Sequence, residues 1–216
     1  MIKRVFLGVC LLIIFVFSFV FKLFPFLALI ILFLGIYELV RLFPKNKMLV
    51  LFYGLLFIGA MITSIFLFYK DTALCFLTIL VVVFNDSWAY AFGKFFGRTH
   101  FSKISPNKTI EGLIGGILGT IGLLYILSLV LGPNTFNYFA INRYHIPALV
   151  MIIVYCLLGN VGDIFESYFK RQLQIKDTSH LLGEQGGILD RVDSWIFTMM
   201  LSLIIFLCNN SLLGYL

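Results

Sequence analysis

Residues 146–169, IPALVMIIVYCLLGNVGDIFESYF, decide how this chain folds. The stretch holds no lysine or arginine and begins with a long apolar run. A helix of about 20 residues crosses the ~30 Å hydrocarbon core of a bilayer. Its second half then turns polar, with Asn160, Asp163, Glu166 and Ser167, and Lys170-Arg171 follow at once. An acid held inside a membrane costs roughly 2.5–3.5 kcal/mol on an insertion scale, so it marks a site by default. Helical spacing puts Asp163, Glu166 or Ser167, Lys170 and Arg171 on one face. The acid lies deep and the bases lie at the water edge.

The polar density continues beyond this stretch. Lys170, Arg171, Lys176, Asp177, Glu184, Asp190, Arg191 and Asp193 fall between two apolar segments, although only 12% of the chain is charged. Gly186-Gly187 lets backbone bend close to a ligand. Asp190 and Asp193 form an i, i+3 pair before the last apolar run. Carboxylates from two facing helix ends offer oxygen ligands suited to Mg²⁺, which usually takes one or two carboxylates plus substrate phosphates. Lys170, Arg171 and Arg191 would then hold phosphates. The alternative is a set of topological anchors and interhelical ion pairs.

The rest of the chain sets the class. Hydrophobic residues make up 61% and mean hydropathy is +1.05. Soluble domains are about half apolar with about twice this charge. Apolar runs predict seven spans, at 5–21, 23–43, 48–69, 72–93, 112–132, 146–169 and 194–214. The expected fold is an all-α polytopic membrane protein forming one domain, 1–216. Lys3 and Arg4 before the first run resemble a signal peptide, but no small-residue cleavage site follows, so that run is read as an uncleaved span.

With the N-terminus inside, 13 of the 16 basic residues fall on the cytoplasmic side, leaving Lys22, Lys70 and Arg143 outside. That asymmetry predicts N-in and C-out. It also explains the net charge of +6 without a nucleic-acid partner. The four cysteines fall in separate apolar spans and read as inert thiols. His100, His145 and His180 lack metal-ligand spacing.

Two further polar clusters fall on the same side. In Asn85–Arg98, helical spacing aligns Asp86, Tyr90, Gly93 and Gly97. That face combines an acid, a hydroxyl and two sites of close backbone approach; the competing reading is a small-residue packing seam around a buried polar group. In Ser105-Pro106-Asn107-Lys108-Thr109-Ile110-Glu111-Gly112, Thr109 is a helix cap and Glu111 sits in the first turn. Ser105 and Lys108 beside a helix N-terminus suit a phosphate. The competing reading is a plain cap before a glycine-rich span. No Walker A pattern occurs.

At these residues the chain resembles the CDP-diacylglycerol synthases, or phosphatidate cytidylyltransferases. Their signature S-x-x-K-R-x4-K-D-x-x-x-x-(I/L)-P-G-H-G-G-x-x-D-R-x-D is met by Ser167, Lys170-Arg171, Lys176-Asp177, Leu182, Gly186-Gly187, Asp190-Arg191 and Asp193. Asp86, Ala89, Tyr90 and Gly93 match D-x-x-A-Y-x-x-G. Ser105-Pro106, Lys108-Thr109 and Glu111-Gly112 match S-P-K-K-T-x-E-G. The resemblance runs over residues 85–195; residues 1–70 match only as generic membrane helices. Gly183-Glu184-Gln185 replaces the family's Pro-Gly-His, and Asn107 replaces one lysine. Gln185 forms hydrogen bonds but shuttles no proton at neutral pH.

The resemblance implies an Mg²⁺-dependent enzyme of a bacterial cytoplasmic membrane, converting CTP and phosphatidic acid to CDP-diacylglycerol and pyrophosphate. It implies Asp163 and Asp190 as Mg²⁺ ligands, with a monovalent cation such as K⁺ a candidate to share the site. Lys170, Arg171 and Arg191 join them as catalytic candidates. Substrate contacts are expected from Asp86, Tyr90, Ser105, Lys108, Thr109 and Glu111. More are expected from Ser167, Lys176, Asp177, Gln185, Gly186, Gly187 and Asp193. A homodimer embedded in membrane lipids fits the same resemblance. The alternatives are a CTP-dependent prenol kinase, a cytidylyltransferase for another lipid phosphate and, more distantly, an ion-coupled transporter. Against the transporter, only Asp71 of the ten acids lies on the outer side.

Overall fold

A computed structural model describes residues 12–100, 108–131, 147–183 and 186–213. Its long helices are α1 (Phe24–Leu42), α2 (Lys47–Lys70), α3 (Thr72–Phe96), α4 (Ile110–Leu131) and α5 (Ala148–Gln172). A single-turn α6 (Leu189–Val192) leads into α7 (Trp195–Leu213). No strand occurs among the described residues, where His100 and Thr109 form one isolated bridge. The chain is therefore an all-α polytopic membrane protein.

Helices α1 to α5 are each long and apolar enough to cross a bilayer. They correspond to five of the seven predicted spans. The seventh corresponds to the helix α7, 19 residues long. The first predicted span is helical over 12–20, and its beginning lies outside the described residues. Helices α3 and α5 each run three residues past their predicted ends, carrying Lys94 and Lys170-Arg171 within the last turn. Cations there suit the negative end of the helix dipole.

The boundaries follow from local chemistry. Pro25 lies in the first turn of α1, where its missing N–H is no loss. The Asn46 side chain caps α2 by accepting from the Leu49 amide at 3.1 Å. Asp71 ends α2 and caps α3, accepting from the Leu74 amide at 3.0 Å. Thr109 does the same for α4 through the Gly112 amide, at 3.1 Å.

Two apolar clusters hold the bundle. One gathers Phe15, Phe19, Phe24, Phe57 and Phe68 with Met61, Leu189 and Ile196. The other joins α3, α4, α5 and α7 through Val81, Leu124, Ile152 and Ile205. Large apolar side chains such as Phe26, Phe33 and Val130 point outward. In water that would be a liability; in lipid it is the expected surface, since lipid tails are as apolar as leucine. An apolar groove of about 470 Å³ on α1, lined by Leu29, Phe33 and Ile36, belongs to this face.

Helices α3 and α4 approach each other closely. Gly115 lies on the Phe92 ring, and a Cβ at Gly119 would come within 2.5 Å of Trp88 Cγ. Gly112 faces the Ala89 carbonyl and the Cα of Gly93. Small residues let the two backbones approach, as in other membrane helix pairs. The seam fixes Asp86 on α3 relative to Lys108, just before α4.

Alternation of the helices brings the C-terminal ends of α1, α3 and α5 to one side, with the starts of α4 and α7. The polar clusters from all parts of the sequence meet there.

Candidate active site at the helix ends

The helix ends enclose a pocket of about 300 Å³. Asp86 comes from α3, Asp163 and Glu166 from α5, Asp190 from α6 and Asp193 from the turn before α7. Lys108, Lys170 and Arg191 supply positive charge, and Ser167 completes the lining. Residues from all three predicted clusters thus share one cavity.

One half of the site is built on Asp163. Lys108 Nζ reaches its Oδ2 at 2.5 Å and also donates to the Asn160 carbonyl at 3.4 Å. Ser194 Oγ lies 2.5 Å from Asp163 Oδ1 and 3.3 Å from Asp86 Oδ2. One hydroxyl proton is therefore shared between two carboxylates from different helices. A Cβ at Gly162 would land on the Asp193 carbonyl, so α5 and the start of α7 touch through backbone here. Asp193 accepts from the Ser194 amide at 2.9 Å. Burial, then the neighbouring charges of Asp163 and Glu166, push the Asp193 carboxyl well above the usual carboxylate range.

The other half is built on Asp190. Lys170 Nζ lies between Asp190 Oδ1 at 2.7 Å and Glu166 Oε2 at 2.6 Å. Asp190 Oδ2 accepts from the Gly187 amide at 2.7 Å, the Thr178 hydroxyl at 2.9 Å and the Thr178 amide at 3.0 Å. Burial works against the Asp190 charge, but its contacts with Glu166, Lys170 and the Gly187 amide outweigh that and hold the carboxyl at about 2.

The donor set fits a hard cation. Carboxylate oxygens dominate the pocket, and among the described residues Glu166 Oε1 is buried with no hydrogen-bond partner. Leaving such an acceptor bare costs about 1–3 kcal/mol. Among the described residues, no three acidic, thiol or imidazole groups converge on one point as a ready-made metal cage. An ion bound by one or two carboxylates, with substrate completing the shell, matches that arrangement, and Mg²⁺ binds in this way.

The expected site residues divide. Asp86, Lys108, Asp163, Ser167, Lys170, Asp190, Arg191 and Asp193 line the pocket. Tyr90 is 69% exposed and turned away from it, beneath Lys94. Gly93 and Gly97 pack on Thr109, so the predicted α3 face is a site at Asp86 and a packing seam below it. Thr109 is the α4 cap. Glu111 accepts from the Thr99 amide at 3.1 and 3.2 Å, clasping the connection into α4. Arg171 and Lys176 are exposed and Asp177 half-buried, all outside the pocket lining. Ser105 and Gln185 lie outside the described residues. Gly186, at φ +83°, and Gly187 do bring backbone close to something, but it is the protein's own carboxylates, Asp190 and Glu38.

Sequence reasoning missed Glu38, Thr178 and Ser194. Glu38 carried the same signal as Asp86, a lone acid in an apolar run. Thr178 and Ser194 are small hydroxyls in polar surroundings, and nothing in their spacing marks them.

A family model described as the cytidylyltransferase family matches residues 45–208. The chain is similar to a protein named phosphatidate cytidylyltransferase from Aquifex aeolicus (strain VF5), at 37% identity over 151 residues. That covers 68% of this chain and 51% of the relative. Proteins of the same name from Staphylococcus haemolyticus (strain JCSC1435) and Staphylococcus aureus (strain COL) are 40% identical over 124 residues, covering 56% of this chain and 44% of each. The chain spans about half the length of the curated relatives it matches.

Proposed function

The chain belongs to the cytidylyltransferase family, and we propose that it transfers CMP from CTP to phosphatidic acid, giving CDP-diacylglycerol and pyrophosphate. The observation that carries this reading is the pocket itself: carboxylates and basic side chains from α3, α5, α6 and the starts of α4 and α7, gathered in one cavity. The names of the relatives supply the substrates.

The lipid phosphate is already anionic near neutral pH, so its oxygen attacks the α-phosphorus without a protein nucleophile. The P–O bond to pyrophosphate breaks as the new one forms. The protein must therefore bring two anions together and offset the charge that builds on the phosphates. Lys108, Lys170 and Arg191 supply positive charge from separate elements. Asp163 and Asp190 are the proposed Mg²⁺ ligands, with Asp86, Glu166 and Asp193 beside them and K⁺ a candidate second ion. Mg²⁺ bound there would polarise phosphoryl oxygens as a Lewis acid. The acidic groups of Asp163 and Asp190 also hold Lys108 and Lys170 in the pocket, so each carboxylate has an orienting task as well. CTP would enter from water and the lipid from the leaflet.

Charge asymmetry supports placing the pocket on the cytoplasmic face of a bacterial inner membrane, N-terminus inside. A homodimer would fit this reading.

The test is an assay on detergent-purified protein with CTP, phosphatidic acid and Mg²⁺. Pyrophosphate and CDP-diacylglycerol should appear together, and Asp163→Asn and Asp190→Asn should each lower kcat by about 100-fold or more. Folded wild-type protein giving neither product would overturn the reading.

A further inference from the structure

Glu38 lies on α1, one turn before its end at Leu42, outside the three motifs and outside the residues the family model matches. It is fully buried. A buried carboxylate persists only when its oxygens are satisfied. Here Oε1 accepts from the Ser179 hydroxyl at 2.6 Å and the Ile188 amide at 2.8 Å. Oε2 accepts from the Leu189 amide at 3.0 Å and the Thr178 hydroxyl at 3.1 Å.

These donors come from the two limbs of the connection between α5 and α6. Thr178 and Ser179 leave α5; Ile188 and Leu189 enter α6. One carboxylate therefore staples both limbs to a membrane helix. The same Thr178 hydroxyl also touches Asp190 Oδ2, so its single proton lies between Glu38 and Asp190. Asp190 follows Leu189 directly and holds Lys170. Gly187 runs through the gap, where a Cβ would collide with Thr178 Oγ1 and with both Glu38 oxygens.

We infer that Glu38 is a positioning residue of the active site, stapling the two limbs of the α5–α6 connection and, through Thr178, setting where Asp190 and Lys170 stand. The inference rests on the reading of the pocket given above. It makes α1 part of the catalytic apparatus. A carboxylate is required because each oxygen accepts a backbone N–H, which cannot turn away. Glutamine would present an NH₂ group to one of them.

The test compares Glu38→Gln, Thr178→Val and Thr178→Ser, with Thr78→Val as control. Thr78 forms a buried interhelical hydroxyl contact with Ser202 at 2.8 Å, away from the pocket. Glu38→Gln should lower kcat by about 100-fold, as a displacement near 1 Å does, with KM for phosphatidic acid within about threefold of wild type. The Ile188 and Leu189 amides should exchange with solvent about tenfold faster or more. Thr178→Val should lower kcat about tenfold or more while Thr178→Ser, which keeps the hydroxyl, stays within about threefold. Thr78→Val should lower the thermal midpoint and leave kcat unchanged.

Wild-type kcat and unchanged exchange in Glu38→Gln would overturn the inference. So would equal kcat in the two Thr178 variants, or a loss matched by Thr78→Val at the same thermal midpoint. If Glu38→Gln does not fold, the Thr178 pair with its exchange rates decides. A wild-type protein that makes no CDP-diacylglycerol would overturn the proposed function instead, and exchange at Ile188 and Leu189 would still decide the staple.

Discussion

Asp163 and Asp190 resemble each other in sequence, since each follows glycine-containing stretches and each sits near a basic residue. Their surroundings separate them. Asp163 meets Lys108 and Ser194 and stands beside two other acids. Asp190 is held more tightly: one oxygen faces Lys170 and the other accepts three hydrogen bonds. Its carboxyl at about 2, against an ordinary 3.8, favours the folded state above the ordinary value by about 2 kcal/mol. The folded-state value is the lower one, so this contribution is lost as pH falls through it. Wild-type protein should therefore lose thermal stability between about pH 4 and pH 2 more steeply than Asp190→Asn, measured by unfolding in detergent. Parallel pH profiles for the two proteins would remove this account of Asp190. The residues themselves were legible wherever charge stood out from an apolar background, as with Asp86, Asp163 and Lys170. Their partners were not, because a hydrogen bond from Thr178 or Ser194 depends on which helix ends meet.

At the scale of elements, the α3–α4 seam makes a sharp claim. A methyl group at Gly115 would overlap the Phe92 ring, whereas nothing lies within 4 Å of a Cβ at Gly122 on the same helix. Gly115→Ala should therefore cost about 1–3 kcal/mol through overpacking, while Gly122→Ala should be neutral or slightly stabilising. Thermal unfolding of the two variants checks this, and equal midpoints would count against the close approach. Five spans were readable because long apolar runs are a strong signal. Helix ends were less so: α3 and α5 continue as helices into their polar last turns, where hydropathy has already fallen. Gly93 and Gly97, at the end of α3, read as either a site face or a packing seam, and they form the seam, whereas the Gly186-Gly187 pair read as room for a ligand. Only the fold reveals that the room is filled by Asp190 and Glu38.

For the whole molecule, the central feature is that alternating spans deliver every polar cluster to one side. The prediction that all three lie on one face came from counting spans, and the pocket joins them. Glu38 was placed on that side as well but not in the site, because α1 carries no motif. In the orientation proposed above from charge asymmetry, that side faces the cytoplasm. In a background without native cysteines, Lys176→Cys should react with a membrane-impermeant maleimide only in inverted vesicles. Lys70→Cys should react only in right-side-out vesicles. The reverse pattern would invert the topology and put the pocket away from cytoplasmic nucleotide.

Following label from CTP into lipid separates CMP transfer from phosphate transfer. Purified protein would receive phosphatidic acid and Mg²⁺ with CTP labelled either at the α-phosphate or at the γ-phosphate. CMP transfer gives lipid labelled only from the α position, with the γ label recovered as pyrophosphate, and at least about 100-fold less labelled lipid from Asp163→Asn. Label entering lipid from the γ position, with CDP as co-product, would contradict CMP transfer and make the pocket that of a kinase.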